Sequence, residues 1–263
     1  MPSTDISEMS EAVEIIDAQA AGRAVVLCEH ASHHIPARYA GLGLAPGEGI
    51  GHVAWDPGAR DLAMILARQL EAPMIAGRVS RLVYDCNRPP EAPSAMPEKS
   101  ETVDIPGNRA LGAAEREERV ESIYSPFRAA VQGLLDKRRQ AGLPTALITV
   151  HSFTPSWFGT PREVEIGILH DRDARLADAM LDRAATLPRR IVRRNEPYGP
   201  QDGVTHSLKL YGLANGLPNV MIEVRNDLLQ TPAAQEEVAA EILSMLTPAL
   251  NDCLPRVEGT SRA

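Results

Sequence analysis

Short apolar runs alternate along the chain with longer stretches in which apolar residues recur every three or four positions. Residues 24–28 (AVVLC), 146–150 (ALITV), 164–169 (VEIGIL) and 220–224 (VMIEV) are compact runs bounded by polar residues. Runs of that length read as strands buried on both faces. Residues 73–76 and 80–84 (SRLVY) predict further strands or strand ends, and 189–194 a short one. Residues 59–71 set Leu62, Ile65, Leu66 and Leu70 at helical spacing. A long amphipathic helix is predicted over 113–141, interrupted near Pro126, with further helices over 173–187 and 232–250. Residues 1–20 read as polar, with room for a short helix, and the proline-rich stretch 89–108 as an extended loop. Strands alternating with helices predict an α/β fold whose sheet is covered on both faces. The expected division is a polar lead-in over 1–22, a single domain over 23–250 and a C-terminal tail over 251–263.

Composition narrows the class. The 263 residues are 44% hydrophobic, 24% charged and only 4% aromatic, with a formal charge of -8. These values suit a soluble globular protein. An acidic chain is a poor match for sequence-independent nucleic-acid binding, because phosphate repels carboxylate. No apolar run approaches the roughly 20 residues that span a bilayer, so no membrane partner is expected. The acidic N-terminus lacks the basic and apolar regions of a signal peptide. Cys28, Cys86 and Cys253 lie far apart and form neither a disulfide framework nor a metal knuckle. A cytoplasmic enzyme with reduced thiols is the expectation.

In open α/β sheets ligands bind outside the carboxyl ends of the strands, which directs attention to the residues just after the buried runs. AVVLC is followed by Glu29, His30, Ala31, Ser32, His33 and His34; ALITV by His151 and Ser152; SRLVY by Asp85, Cys86, Asn87 and Arg88. Glu223 lies inside VMIEV. His30 and His151 form the natural metal pair, since imidazole suits Zn²⁺ and a catalytic zinc site takes three protein ligands. Glu29, His33 and Asp56 are the candidates for the third. Asp56 precedes the first long helix, so it also suits a helix N-cap. Glu223, a carboxylate in an apolar strand, suits a general base, or a buried partner for an arginine. Asn87 and Arg88 pair an amide with a planar guanidinium fork fit for a carboxylate, and Arg81 is a second cation nearby. The glycine-rich segment 41–49 lacks the Lys-Ser/Thr ending of a phosphate loop. No G-x-S-x-G elbow is present.

The strings CEHASHHIP, AWDPGARDLA, SRLVYDCNRP, TVHSF, NEPYGPQDGVTH and VMIEVRNDLL together resemble the N-formylglutamate amidohydrolase family, in order from about residue 23 to 245. SRLVYDCNRP is the most specific of them. The pattern is also similar to the aspartoacylase and zinc carboxypeptidase group. The resemblance implies a single α/β domain with a mixed, mostly parallel, carboxypeptidase-like sheet flanked by helices. It implies Zn²⁺-dependent hydrolysis of N-formyl-L-glutamate to formate and glutamate, the last step of one route of histidine degradation. The partner is then a small anionic acyl-amino acid. By motif, His30, Asp56 and His151 take the metal-ligand positions and Glu223 the general-base position. Arg81, Asn87 and Arg88 match the substrate-carboxylate region, and His206 a substrate-contacting position. Two departures stand out. The chain reads Glu29-His30-Ala31-Ser32 where the family more often has Pro-His-Ser/Ala-Gly. It also carries His206 where those enzymes tend to have Arg, so it resembles a divergent branch in which another N-acyl amino acid or peptide-like substrate is the alternative.

Overall fold

The buried runs assemble into one sheet because neighbouring apolar strands hide each other's backbone polar groups along their edges and their side chains under helices on the faces. The computed structural model describes residues 8–187 and 189–255. Its eight-stranded sheet comprises β1 (Glu8–Met9), β2 (Val13–Ile16), β3 (Ala24–Cys28), β4 (Met74–Gly77), β5 (Ala146–Phe153), β6 (Ile166–Leu169), β7 (Val192–Arg194) and β8 (Asn219–Arg225). The spatial order is β1-β2-β4-β3-β5-β8-β6-β7. Parallel pairing joins β4, β3, β5 and β8, and also β6 and β7. The other three pairings are antiparallel. The fold is thus a single α/β domain with a mixed, mostly parallel sheet.

Alternate residues of each strand enter different cores. Val26, Cys28, Ile148, Val150 and Ile222 pack with α1 (Ala59–Gln69), α4 (Arg175–Leu181) and α5 (Pro232–Cys253). Val25, Leu27, Leu147 and Met221 pack on the opposite face with Phe127, Val131 and Leu135 of α3 (Ser125–Gln140). Helix α2 (Ala113–Arg119) runs into α3 through a π turn at Val120–Tyr124, just before Pro126, which has no N–H to give the ladder. No helix among the described residues is long and apolar enough to cross a membrane.

Several expectations need correcting. SRLVY is not a strand: residues 80–84 form a turn. Ser80 Oγ donates to the Ala54 carbonyl and accepts from Leu82 N, while Leu82, Val83 and Tyr84 are buried in the α3-side core. Burial of an apolar run does not require a strand. Strands β1 and β2 fall within the stretch read as a polar lead-in; β2, half-buried, pairs with the edge strand β1 on one side and with β4 on the other. Strand β5 runs to Phe153, so His151 lies within it rather than after it. The proline-rich stretch 89–108 carries a small hairpin, Lys99–Ser100 with Val103–Asp104. Helix α5 extends to Cys253, past the expected end at 250. The remaining parts of the lead-in and tail, residues 1–7 and 256–263, lie outside the described residues.

Strand β4 ends on Gly77 for a reason of space. A Cβ there would stand 2.2 Å from the carbonyl oxygen of Glu29, closer than any atoms tolerate. Gly77→Ala is therefore expected to lower stability by about 1–3 kcal/mol through overpacking, read as a lower urea midpoint with an unchanged slope. An unchanged midpoint would contradict this packing.

Candidate metal centre

Three neighbouring strands and one loop deliver the polar residues. β3 ends at Cys28, and the chain leaves the sheet through Glu29 and His30, both buried. His151 of β5 pairs directly with Glu223 of β8 in the parallel ladder, so their side chains leave the same face of the sheet. The loop before α1 supplies Asp56. Its N–H donates to the His30 carbonyl and its own carbonyl accepts from Ala59 N, which pins the loop against the strand end. Asp56 does not cap α1: the N-cap position is Gly58, with φ +80°. A Cβ at Gly58 would also meet Leu229 at 2.5 Å. The Asp56 side chain is thereby turned inward.

Asp56 Oδ2 lies 3.2 Å from His30 Nδ1 and 2.9 Å from His151 Nδ1. Ligand atoms of these three buried residues all fall within 4.8 Å of one another. Metal–ligand bonds of about 2.0–2.1 Å place tetrahedral ligand atoms about 3.3 Å apart, so the two Asp56 contacts are close to metal-binding spacing. The far nitrogens complete the pattern. His30 Nε2 meets Asp85 Oδ1 at 2.7 Å, and His151 Nε2 faces Glu29 Oε2 at 3.3 Å. Carboxylates behind ligating imidazoles fix their tautomer and ring orientation. Of the three candidates for third ligand, Glu29 stands behind His151, and His33 is exposed against Trp55 with ring centroids 5.1 Å apart.

Electrostatics point the same way. Burial opposes the Asp56 anion, but Arg81, His30 and His151 hold its carboxyl well below the usual range. Burial opposes the His151 cation, yet Glu29 and Asp56 raise it well above the ordinary imidazole value. His30 is likewise raised by Asp85 and Asp56 against burial. Four buried carboxylates (Glu29, Asp56, Asp85, Glu223) surround two imidazoles and the Arg81 guanidinium. Such an excess of buried negative charge fits a divalent cation. Glu223 differs from the other acids. Burial pushes its pKa up to about 7, helped by Asp56 and opposed by His151 and His30, and its Oε2 has no hydrogen-bond partner among the described residues.

A cavity of about 330 Å³ opens over this cluster, and His30, Asp56, His151 and Glu223 all line it. Arg81, Asn87 and Arg88 line it too, with different commitments. Arg81 is strongly engaged: Nη1 donates to Asp56 Oδ1 at 2.9 Å, Nε to the Val53 carbonyl, and Nη2 to the His52 carbonyl. Asn87 fastens a loop, donating to the Val204 carbonyl at 2.7 Å and accepting from Ser207 N at 3.0 Å. Arg88 donates one bond to the Asn87 carbonyl and stands 4.0 Å from Asp85. His206 is not among the lining residues; its Nε2 meets Tyr124 Oη at 3.0 Å, and burial lowers its pKa. Sequence reasoning missed Asp85 as the partner of His30, and it missed Phe153, Trp157 and Tyr198, which also line the cavity. The adjacency of Glu29 to His30 and of Asp85 to Asn87 was the available signal, but it carries no ring orientation.

The N-formylglutamate amidohydrolase family model matches residues 22–230. The crystal structure of a gene product from Agrobacterium tumefaciens is 50% identical, with a TM-score of 0.90, covering 92% of this chain and 96% of that one. The crystal structure of N-formylglutamate amidohydrolase from Ralstonia eutropha is 20% identical, with a TM-score of 0.64, covering 91% of this chain and 97% of that one. No curated protein matches the chain.

The carboxylates behind the histidines set an expectation for metal affinity. Asp85→Asn, which keeps the volume and removes the charge, is expected to weaken Zn²⁺ binding about 10- to 100-fold in a competition titration against a chromogenic chelator. An unchanged affinity would remove Asp85 from the metal centre. Zn²⁺ binding to the wild type is also expected to release protons, because Asp85, Asp56 and Glu29 favour the protonated imidazoles and a metal takes the neutral ones. Calorimetry in buffers of different ionisation enthalpy reads the number released, and none would contradict these electrostatics.

Proposed function

The chain belongs to the N-formylglutamate amidohydrolase family, and from that premise we propose that it is a Zn²⁺-dependent hydrolase of the linear amide in small anionic N-acyl amino acids. N-formyl-L-glutamate, which would yield formate and glutamate, is the family's namesake and the first substrate to test. With that substrate the reaction would be the last step of one route of histidine degradation, in the cytoplasm. The observation that carries the reading is the placement of Glu223. A buried carboxylate with a raised pKa and a free oxygen stands beside His151 in the cavity that the His30–Asp56–His151 set lines.

His30, Asp56 and His151 would hold the ion. When bound, Zn²⁺ supplies Lewis acidity, polarising a carbonyl and acidifying water. Glu223 takes a proton from the attacking water as the C–O bond forms. It returns that proton to the amide nitrogen as the C–N bond breaks, leaving a carboxylic acid and a free amine. Arg81 acts on Asp56 rather than on substrate, keeping the carboxylate charged and aimed. Arg88 keeps donors in reserve and would grip the substrate α-carboxylate, fixing the carbonyl against the base. Asn87 holds residues 204–207 in place and with them one wall of the cavity. A second reading, in which another N-acyl amino acid is the substrate, is favoured by the aromatic residues of that cavity, taken up in the next subsection.

Glu223→Gln is expected to keep one Zn²⁺ per chain and the wild-type unfolding midpoint while losing about 10²- to 10⁴-fold in kcat. Turnover near wild type would displace Glu223 as the base. The base must be ionised to act, so kcat/KM is expected to rise with pH on its acid limb. A cation beside Glu223 favours the anion, which puts the limb of the zinc-loaded enzyme below the metal-free value of about 7. A limb above 7 would contradict the assignment.

A further inference from the structure

The chain is poor in aromatic residues: two Trp, five Tyr and three Phe in 263 positions. Four of them gather at one mouth. Phe153, Trp157 and Tyr198 line the cavity over the metal centre. Trp157, Phe158 and Tyr198 line an adjoining depression of about 690 Å³, which shares Arg88 with the first. Trp157 is 40% exposed and Phe158 66% exposed, and among the described residues Ile50 is the one other exposed large apolar side chain.

This arrangement is held in place. The Arg162 guanidinium lies over the rings of Phe153, Trp157 and Tyr198 at 5.5, 4.9 and 5.0 Å, and Nη2 donates to Tyr198 Oη at 2.9 Å. Trp157 and Phe158 meet edge to face at 4.9 Å. They sit on the hairpin Ser156–Trp157 with Thr160–Pro161. Its two-residue turn, Phe158-Gly159, has φ +46° and +83°. A turn with two positive φ values favours Asn-Gly or Asp-Gly, and a phenylalanine there carries backbone strain. The hairpin therefore presents a bulky aromatic group where turn chemistry favours a small polar one.

On the hydrolase reading above, on which this rests, we infer that the Trp157–Tyr198 wall is the subsite for the substrate's amino-acid side chain, and that the substrates are N-acyl derivatives of aromatic or large apolar amino acids. Arg88 belongs to both depressions. A carboxylate held on it leaves an amide at the metal centre and a side chain against the wall, where ring stacking and apolar burial favour binding. Arg162 lines the second depression too, but its guanidinium is stacked among three rings and its Nη1 and Nη2 donate to Thr154 and Tyr198. Lys99, on the other hairpin at the cavity, is the cation that a glutamate side chain would use instead.

The test compares kcat/KM of the zinc-loaded enzyme for N-formyl-L-phenylalanine, N-formyl-L-alanine and N-formyl-L-glutamate. The phenylalanine derivative is expected to lead both others by about tenfold or more. Trp157→Ala is expected to lower kcat/KM for the phenylalanine derivative about tenfold more than for the alanine one, chiefly through KM, with Trp157→Phe restoring most of it. A lead for the glutamate derivative, lost on Lys99→Ala, overturns the inference. So does an equal fall for all three substrates in Trp157→Ala. Calorimetric binding of the same ligands to zinc-loaded Glu223→Gln separates this inference from the hydrolase reading. Trp157-dependent preference for the phenylalanine derivative, with no turnover of any ligand by the wild type, keeps the subsite and removes the hydrolase. Binding of none of them removes both.

Discussion

The Asp56 carboxylate is the group on which the rest of the centre depends. Its Oδ2 lies between the two imidazole Nδ1 atoms, and its Oδ1 takes the Arg81 guanidinium. A buried anion in that position is costly unless every lone pair is answered. Here the answers come from a strand-end histidine, a mid-strand histidine, a turn arginine and the Ser152 N–H at 3.4 Å. Removing the charge would leave two buried imidazoles and a guanidinium facing one another. The same arrangement ties Arg81, which sequence position put in the substrate region, to Asp56.

The scaffold makes this concentration of charge tolerable. Parallel strands buried on both faces fix register strongly, because a one-residue slip would turn apolar side chains out of their cores. Register in turn sets His151 beside Glu223. The close approach of Gly77 to the Glu29 carbonyl brings β4 against the segment that carries His30. The glycine before α1 leaves Asp56 free of the capping role that its position suggested. The histidines are backed by Asp85 and Glu29, and ligand atoms of His30, Asp56 and His151 lie within 4.8 Å of one another.

Much of this was visible in the chain. The continuous apolar runs at 24–28, 146–150 and 220–224 read as buried strands because they are short and bounded by polar residues, and the strand-end rule then isolated His30, His151 and Glu223. Other features were not visible. Residues 80–84 are as apolar as a strand, yet their burial comes from filling the α3-side core from a turn. Val13–Ile16 sits in an acidic context and is half-buried, so it gave no periodic signal. Asp56 read equally as a helix cap until the family resemblance singled it out. The pairing of Asp85 with His30 depends on how an imidazole ring turns, and spacing along a chain carries no such information. That His206 is not among the cavity-lining residues and pairs with Tyr124 was not visible either; it sits on a segment that Asn87 fastens over 117 and 120 residues of separation.

The most direct test of the central claim is elemental metal content of the purified protein, paired with formate release from N-formyl amino acids before chelation, after it, and after Zn²⁺ is restored. The account predicts about one zinc per chain, turnover lost with the metal and turnover regained on its return. Formate release that persists undiminished in metal-free protein would contradict it, and so would protein that takes up no zinc.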